Sequence, residues 1–232
     1  MIIDITRCGY APGYVPRATE PFFNPFFAAA NVAFRREALQ AIGGFDPLCL
    51  TGEDIDVSIR LAAAGWELWH ESAAVIQHME RFNLPHMLKQ WFGYGRGLPR
   101  LYRKHVRGRR LQVYMAGHAA STGRPHGAVC LLNVPFFCRA LAFLTSYHLL
   151  HVALFVLLIG AIAHSSVVSL IAAVAALTAL LRYAGIRFEW RRPLWSVGMF
   201  GLRYLADTAF VAGGLLSGLR QRALILTPTR TR

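Results

Sequence analysis

From Ala140 to Ala163 the chain runs for 24 residues without an Asp, Glu, Lys or Arg. At 1.5 Å per residue, an uncharged helix of that length crosses a hydrocarbon core about 30 Å thick with room for tilt. After the polar patch His164-Ser165-Ser166 a second uncharged run, Val167 to Leu181, closes on Arg182 and Tyr183. Those two residues suit the bilayer boundary, because an arginine snorkels and a tyrosine sits at headgroup depth. Neither run has a polar face to offer water. A hairpin buried in a soluble domain is therefore the poorer reading, and a transmembrane helical hairpin over 140–184 is the expected one.

The charges orient this hairpin. The 232 residues hold 25 Lys and Arg against 12 Asp and Glu, and no acid lies between Glu80 and Glu189. With 55% hydrophobic residues and four Cys, the chain is neither a disordered tail nor a disulfide-stapled miniature. Arg96, Arg100, Arg103, Lys104, Arg107, Arg109 and Arg110 precede the first run, and loop 182–193 adds four Arg to one Glu. The positive-inside rule then places both flanks on the cytoplasmic side, facing anionic lipids. No nucleic-acid-binding motif interleaves with the bases, so nucleic acid is not an expected partner. A third apolar stretch, Leu194 to Leu219, carries Arg203 and Asp207 and runs into Arg220, Arg222, Arg230 and Arg232. This favours an interfacial or re-entrant helix, with a third membrane helix as the alternative. The expected location is the cell inner (plasma) membrane, multi-pass, with the soluble part and both termini cytoplasmic. The polar first twenty residues do not read as a cleavable signal. Cys8, Cys49, Cys130 and Cys138 lack metal-ligand spacing and read as free thiols.

Ahead of the hairpin the punctuation is that of an α/β unit. Pro12, Gly13 and Pro16 mark a loop after a short strand, Phe26–Ala30 is strand-like, and Arg35–Ile42 reads as a helix stopped by Gly43-Gly44, with Phe45 packing back onto it. Thr51-Gly52-Glu53-Asp54 feeds a second helix, Ile55–Ala64, whose Ile55, Ile59, Leu61 and Ala62 form one face before Gly65 ends it. Glu67–His70 and Ala73–Gln77 read as short β segments. The expected organisation is an α/β unit over 1–110, a juxtamembrane linker over 111–139, the hairpin over 140–184, and a basic loop, amphipathic or third membrane helix and basic tail over 185–232.

Within the first unit, Asn31-Val32-Ala33-Phe34-Arg35-Arg36-Glu37-Ala38-Leu39, Gly43-Gly44-Phe45-Asp46, Gly52-Glu53-Asp54-Ile55-Asp56 with Arg60 and Leu61, Gly65-Trp66, and a strand ending at His78 follow one another in order. This succession resembles the family 2 glycosyltransferases of the GT-A fold, specifically their C-terminal, acceptor-binding half, over roughly residues 20–110. The resemblance implies sugar transfer from a nucleotide-sugar donor to a lipid-linked or membrane-presented acceptor, with inversion. It implies Asp54 as the general base and Glu53 as an orienting or acceptor-binding partner. A carboxylate at a helix N-terminus is also expected to be held ionised by backbone N–H groups, and a lone Asp in that place is most simply an N-cap.

The same resemblance implies a divalent metal, Mg or Mn. Asp54 and Asp56 spell Asp-x-Asp, but the pair opens a helix and Asp56 is placed to pair with Arg60 four residues on, so the metal-binding Asp-x-Asp is taken to be absent. His78 is the candidate for metal or diphosphate contact. Asn31 is a candidate for lining the pocket. Gln90 stands where processive members carry Gln-x-x-Arg-Trp, but positions 93 and 94 are Gly and Tyr, which argues against a polymerising synthase. Gln90, Trp91 and Arg96 are candidates for substrate contact, with an amphipathic interface helix as the equal alternative. The family's nucleotide-binding half has no counterpart in residues 1–20, so the isolated chain is expected to be a fragment incompetent for catalysis. The alternative is a non-catalytic membrane protein or scaffold that keeps only the acceptor half.

Overall fold

The computed structural model describes residues 2–4, 13–15, 26–71, 73–79, 83–116, 128–184 and 192–227. In chain order the elements are strands β1 (Ile2–Asp4) and β2 (Gly13–Val15), a 3₁₀ turn (Ala29–Asn31), helices α1 (Arg36–Ala41) and α2 (Glu53–Ala63), strands β3 (Leu68–His70) and β4 (Gln77–Met79), and helix α3 (Leu84–His105). Strands β5 (Arg110–Ala116), β6 (Ala128–Pro135) and β7 (Arg139–Leu144) follow, then helices α4 (Ser146–Ile162), α5 (Ser166–Ala184) and α6 (Pro193–Gln221), and strand β8 (Ala223–Leu226). The expected α/β character is present. Phe26–Ala30 is not a strand but leads into the 3₁₀ turn.

Among the described residues, three separate cores hold the chain together. The first packs Ala38 of α1 on Val57 and Leu61 of α2, with Phe34, Leu39 and Trp66 around them. Gly43 and Gly44, at φ of 76° and 75°, end α1 in the left-handed region as expected. Phe45 meets Phe34 edge-on at 5.9 Å between ring centroids. Two small two-stranded ladders, β1 with β4 and β2 with β3, complete this part of the chain.

The second core lies where a linker was expected. β5, β6, β7 and β8 form a mixed sheet in the order β6-β5-β7-β8, with β5 parallel to β7 and β7 parallel to β8. Tyr102 of α3, Tyr114 of β5, Leu141 of β7 and Ala223 and Ile225 of β8 form its buried centre. The Tyr102 hydroxyl donates to Gln112 Oε1 at 2.5 Å, so the polar groups enclosed there are paired. The segment read as a juxtamembrane linker therefore supplies two strands, and the tail after α6 returns to become the sheet's edge.

The sheet also takes the first residues of the first uncharged run. Ala140–Leu144 belongs to β7, and α4 has 17 residues. Among the described residues one helix, through its Ser166–Tyr183 stretch, is long and apolar enough to cross a membrane. The expected pair of transmembrane helices thus reduces to one that meets that measure.

The third core is the antiparallel pairing of α4 with α5, made by Leu150, Ala153, Ala176 and Ala179. Gly160 approaches so closely that a Cβ would stand 2.8 Å from Ser169 Oγ. Apart from Leu150 and Leu180, small residues thus fill the inside of the hairpin, while large apolar ones face out: Ile162 is 70% exposed and Leu170 67%, with Phe155, Val167 and Ile171 beside them. α6, 29 residues long, lies against α3. A Cβ on Gly95 of α3 would collide with the Phe210 carbonyl of α6, and one on Gly213 of α6 with the Phe92 carbonyl of α3. Glycine at both positions is what permits the crossing.

Candidate functional site

α2 starts at Gly52, which adopts φ 78°, and a Cβ there would stand 2.5 Å from Leu101 Cδ1 of α3. The left-handed backbone conformation requires glycine, and any larger residue would also force the Leu101 side chain to shift. Gly52 is therefore the N-cap, and Asp54 is the second helical residue rather than the cap.

Asp54 is half-buried, and its Oδ1 accepts a hydrogen bond from the Ile55 N–H at 2.8 Å. The Ala29 N–H also reaches it, which ties the 3₁₀ turn to the start of α2. Burial pushes the Asp54 carboxyl above its ordinary value and the charge of Glu53 adds to this; the N–H bonds from Ile55 and Ala29 oppose the shift without cancelling it. The backbone donors at the helix N-terminus thus act in the expected direction, but desolvation outweighs them. Asn31, in the same turn, donates from Nδ2 to the Ala74 carbonyl at 2.7 Å and so pins the 73–76 segment beside it. On the other side the Thr51 hydroxyl donates to the Gly93 carbonyl of α3 at 3.3 Å.

The structure therefore gathers Asn31, Glu53 and Asp54 around one turn and sets the others apart. Gln90 donates to the Tyr94 hydroxyl at 2.6 Å. Trp91 packs edge-on against Tyr94 and against Phe210 of α6, with centroids 5.6 and 6.3 Å away. Arg96 is exposed on α3. His78 lies on β4 with its backbone paired to Ile3, and its side chain falls outside the described residues.

Asp56 faces the opposite way from Asp54 and is fully buried. Its Oδ2 accepts from Arg60 Nε at 2.8 Å, as the i,i+4 spacing implied. Its Oδ1 lies 2.7 Å from both Lys104 Nζ and His105 Nε2 at the end of α3. Lys104 also reaches Asp46 Oδ2 at 2.7 Å. Burial pushes Asp56 up, but the Lys104, His105 and Arg60 hydrogen bonds together hold it below the usual carboxylate range. The Lys104 hydrogen bond, followed by the Leu48 N–H, brings Asp46 down to about 2. Burial lowers His105, so near neutrality the imidazole is uncharged and donates its Nε2 proton to Asp56. Nothing local to residues 104–105 signalled this partnership, since the two contacting segments are about fifty positions apart.

Asp46, Cys49 and Asp56 bring one ligand atom each within 4.8 Å of one another. They do not fit a Mg or Mn ion. The Lys104 ammonium already bridges both carboxylates, and burial raises the Cys49 thiol, keeping it protonated.

Comparison with known proteins identifies the family of the chain. Residues 18–184 match the family model described as Glycosyl transferase family group 2. The chain is 35% identical over 75 residues to the succinoglycan biosynthesis protein ExoA of Rhizobium meliloti (strain 1021), a match covering 32% of this chain and 23% of that protein. It is 33% identical over 70 residues to the pre-mycofactocin glycosyltransferase of Mycobacterium tuberculosis (strain ATCC 25618 / H37Rv), covering 30% of this chain and 15% of that protein. The chain thus spans under a quarter of the length of these relatives. No solved structure matches it. With the family model covering well over half of its residues, the chain belongs to the family 2 glycosyltransferases.

Proposed function

We propose that this chain is the acceptor-binding, membrane-anchored part of an inverting glycosyltransferase that takes a sugar from a nucleotide-sugar donor. Asp54 is the general base. It removes the proton from the acceptor hydroxyl as that oxygen bonds to the anomeric carbon, and the nucleoside diphosphate leaves from the opposite face. The raised Asp54 carboxyl carries the reading, because a base is most effective when its pKa moves toward the working pH. Glu53, adjacent and half-buried, lifts Asp54 further by like-charge repulsion. Asn31 holds the turn that donates to Asp54, which makes it a positioning residue in this scheme. Gln90, Trp91 and Arg96 lie on the helix that buttresses the site and are assigned to the acceptor side. The divalent metal common in the family finds no fitting ligand set among the described residues.

The α4–α5 hairpin is the proposed bilayer anchor, which makes the acceptor lipid-linked or membrane-presented. Its composition supports this: mostly Ala, Gly and Ser between the helices, with Leu150 and Leu180, and Leu, Val, Ile and Phe outward is the packing of helices in lipid, the reverse of a water-soluble pair. α4 at about 25 Å is short for a span, which local bilayer thinning accommodates. α6, locked to α3 along its C-terminal half, is assigned to the cytoplasmic interface. The decisive experiment is Asp54→Asn in the complete enzyme. Sugar transfer should fall by about 10²–10⁴ with donor binding kept, whereas unchanged turnover removes Asp54 from the chemistry.

A further inference from the structure

At the junction of the α3 end, the β6–β7 turn and the α6 end, a cavity of about 410 Å³ is lined by four arginines, Arg103, Arg109, Arg139 and Arg222, with Phe137 and Leu219 on its wall. None of the described residues lining it is acidic. The volume falls within the range of small-molecule sites, about 300–1,000 Å³. Phe137 and Leu219 are each more than 70% exposed, which gives the charged cavity an apolar rim.

Two of the arginines have a structural use. The Arg139 Nε donates to the Val106 carbonyl at 3.1 Å and the Arg103 Nη1 to the Gln221 carbonyl at 3.4 Å, so each caps an open helix C-terminus. Those two helix ends contribute about half a negative charge each. Against four guanidiniums the cavity keeps a net charge of roughly +3, and each capping arginine retains N–H groups beyond the one it uses. Arg222 is the more telling residue. It closes α6 at φ 52°, in the left-handed region where glycine is the default and a larger side chain costs about 1 kcal/mol. A long cation therefore stands at the one position in this helix end where a glycine would be more stable, and it lines the cavity.

We infer that this arginine cavity, whose lining shares no residue with the Asp54 turn, is a binding site for a phosphate-bearing anion, a phosphate monoester or a diphosphate. Guanidinium forks match phosphate oxygens in pairs, and a cavity with several of them and no carboxylate selects multiply charged phosphoanions over chloride. The anion could come from a lipid headgroup, with the apolar rim taking the first carbons of its chain, or from a soluble phosphate compound.

The test uses the full chain in detergent, titrated with inorganic pyrophosphate by calorimetry, and in parallel the chain binding to nanodiscs of neutral phospholipid with and without phosphatidic acid. Arg222→Gly and Arg109→Gln are compared with the parent in both. Arg222→Gly should melt at the same or a higher temperature, since it relieves the left-handed strain, while anion binding weakens about tenfold. Arg109→Gln, which removes no helix cap, should weaken binding similarly. Loss of pyrophosphate binding alone assigns a soluble phosphate, and loss of phosphatidic acid binding assigns a lipid; either supports the site. Binding that is unchanged in both variants, or no binding of either probe by the parent, overturns it. Sugar transfer reads Asp54 and not this cavity, so failure here leaves the proposed function standing.

Discussion

Lys104 Nζ stands 2.7 Å from Asp56 Oδ1, joining the last turn of α3 to α2 two residues beyond Asp54. The pair is half in water, with Lys104 32% exposed and Asp56 enclosed. Lys104→Met removes one of the two cations on the buried Asp56 carboxylate and leaves it to Arg60 and His105, and should cost about 1–3 kcal/mol, below the full value for a buried pair because of the lysine's exposure. The sign with pH follows from the lowered carboxyls. Asp46 and Asp56 bind protons less readily folded than unfolded, so their contribution is complete above the usual carboxylate range, about pH 4, and is lost as pH falls through the lowered values, about 2 for Asp46. Acid denaturation of Lys104→Met should therefore be less steep over that window than in the parent. Parallel acid limbs would refute the assignment.

Asp54→Asn has a second readout besides the loss of transfer. The carboxylate is held partly desolvated against its preference, so the amide should melt at an equal or slightly higher temperature. In the parent enzyme, activity should fall as pH drops through a value above the ordinary Asp range of about 4, since only the ionised form accepts a proton. A variant that loses activity together with its fold would show a structural residue instead.

Two glycines on one helix should respond in opposite directions. A Cβ on Gly95 meets the Phe210 carbonyl, so Gly95→Ala should destabilise by about 1–3 kcal/mol through the α3–α6 crossing. A Cβ on Gly93 meets nothing within 4 Å, so Gly93→Ala should stabilise by up to about 1 kcal/mol through helix propensity. Thermal melts of the two single variants decide it, and equal shifts would show that α6 does not sit on α3.

Leu170→Arg separates the bilayer reading from a water-soluble one. The residue is exposed, so in water the substitution should be nearly neutral or favourable. In a membrane it should oppose insertion, by less than the roughly 2.5–3.5 kcal/mol of an arginine at a helix centre because Leu170 lies one turn inside the Ser166–Tyr183 stretch, read as a shift of the chain from the membrane to the soluble fraction. Retention in the membrane would remove α5 as an anchor.

The uncharged runs, the Gly-Gly stop after α1, the start of α2 at Gly-Glu-Asp and the Asp56–Arg60 pair were all legible in the sequence. Each rests on contacts within a few residues, where spacing alone decides. The sheet was hidden for the converse reason. Ala140–Leu144 is apolar enough to pass for the beginning of a membrane helix, and only pairing with β5 on one side and Ala223–Leu226 on the other shows it to be a strand.

The site divides along the same line. The sequence by itself determined that an acid would stand at the start of α2, because helix punctuation is local. Whether that acid would be held ionised or pushed toward protonation depended on burial and on the approach of Ala29, and only the tertiary structure decided it. The same holds for Lys104 and His105 on Asp56 and for the arginines that converge from three elements on one cavity. Partners this far apart in the chain carry no periodicity to read, and they become neighbours only when the cores close.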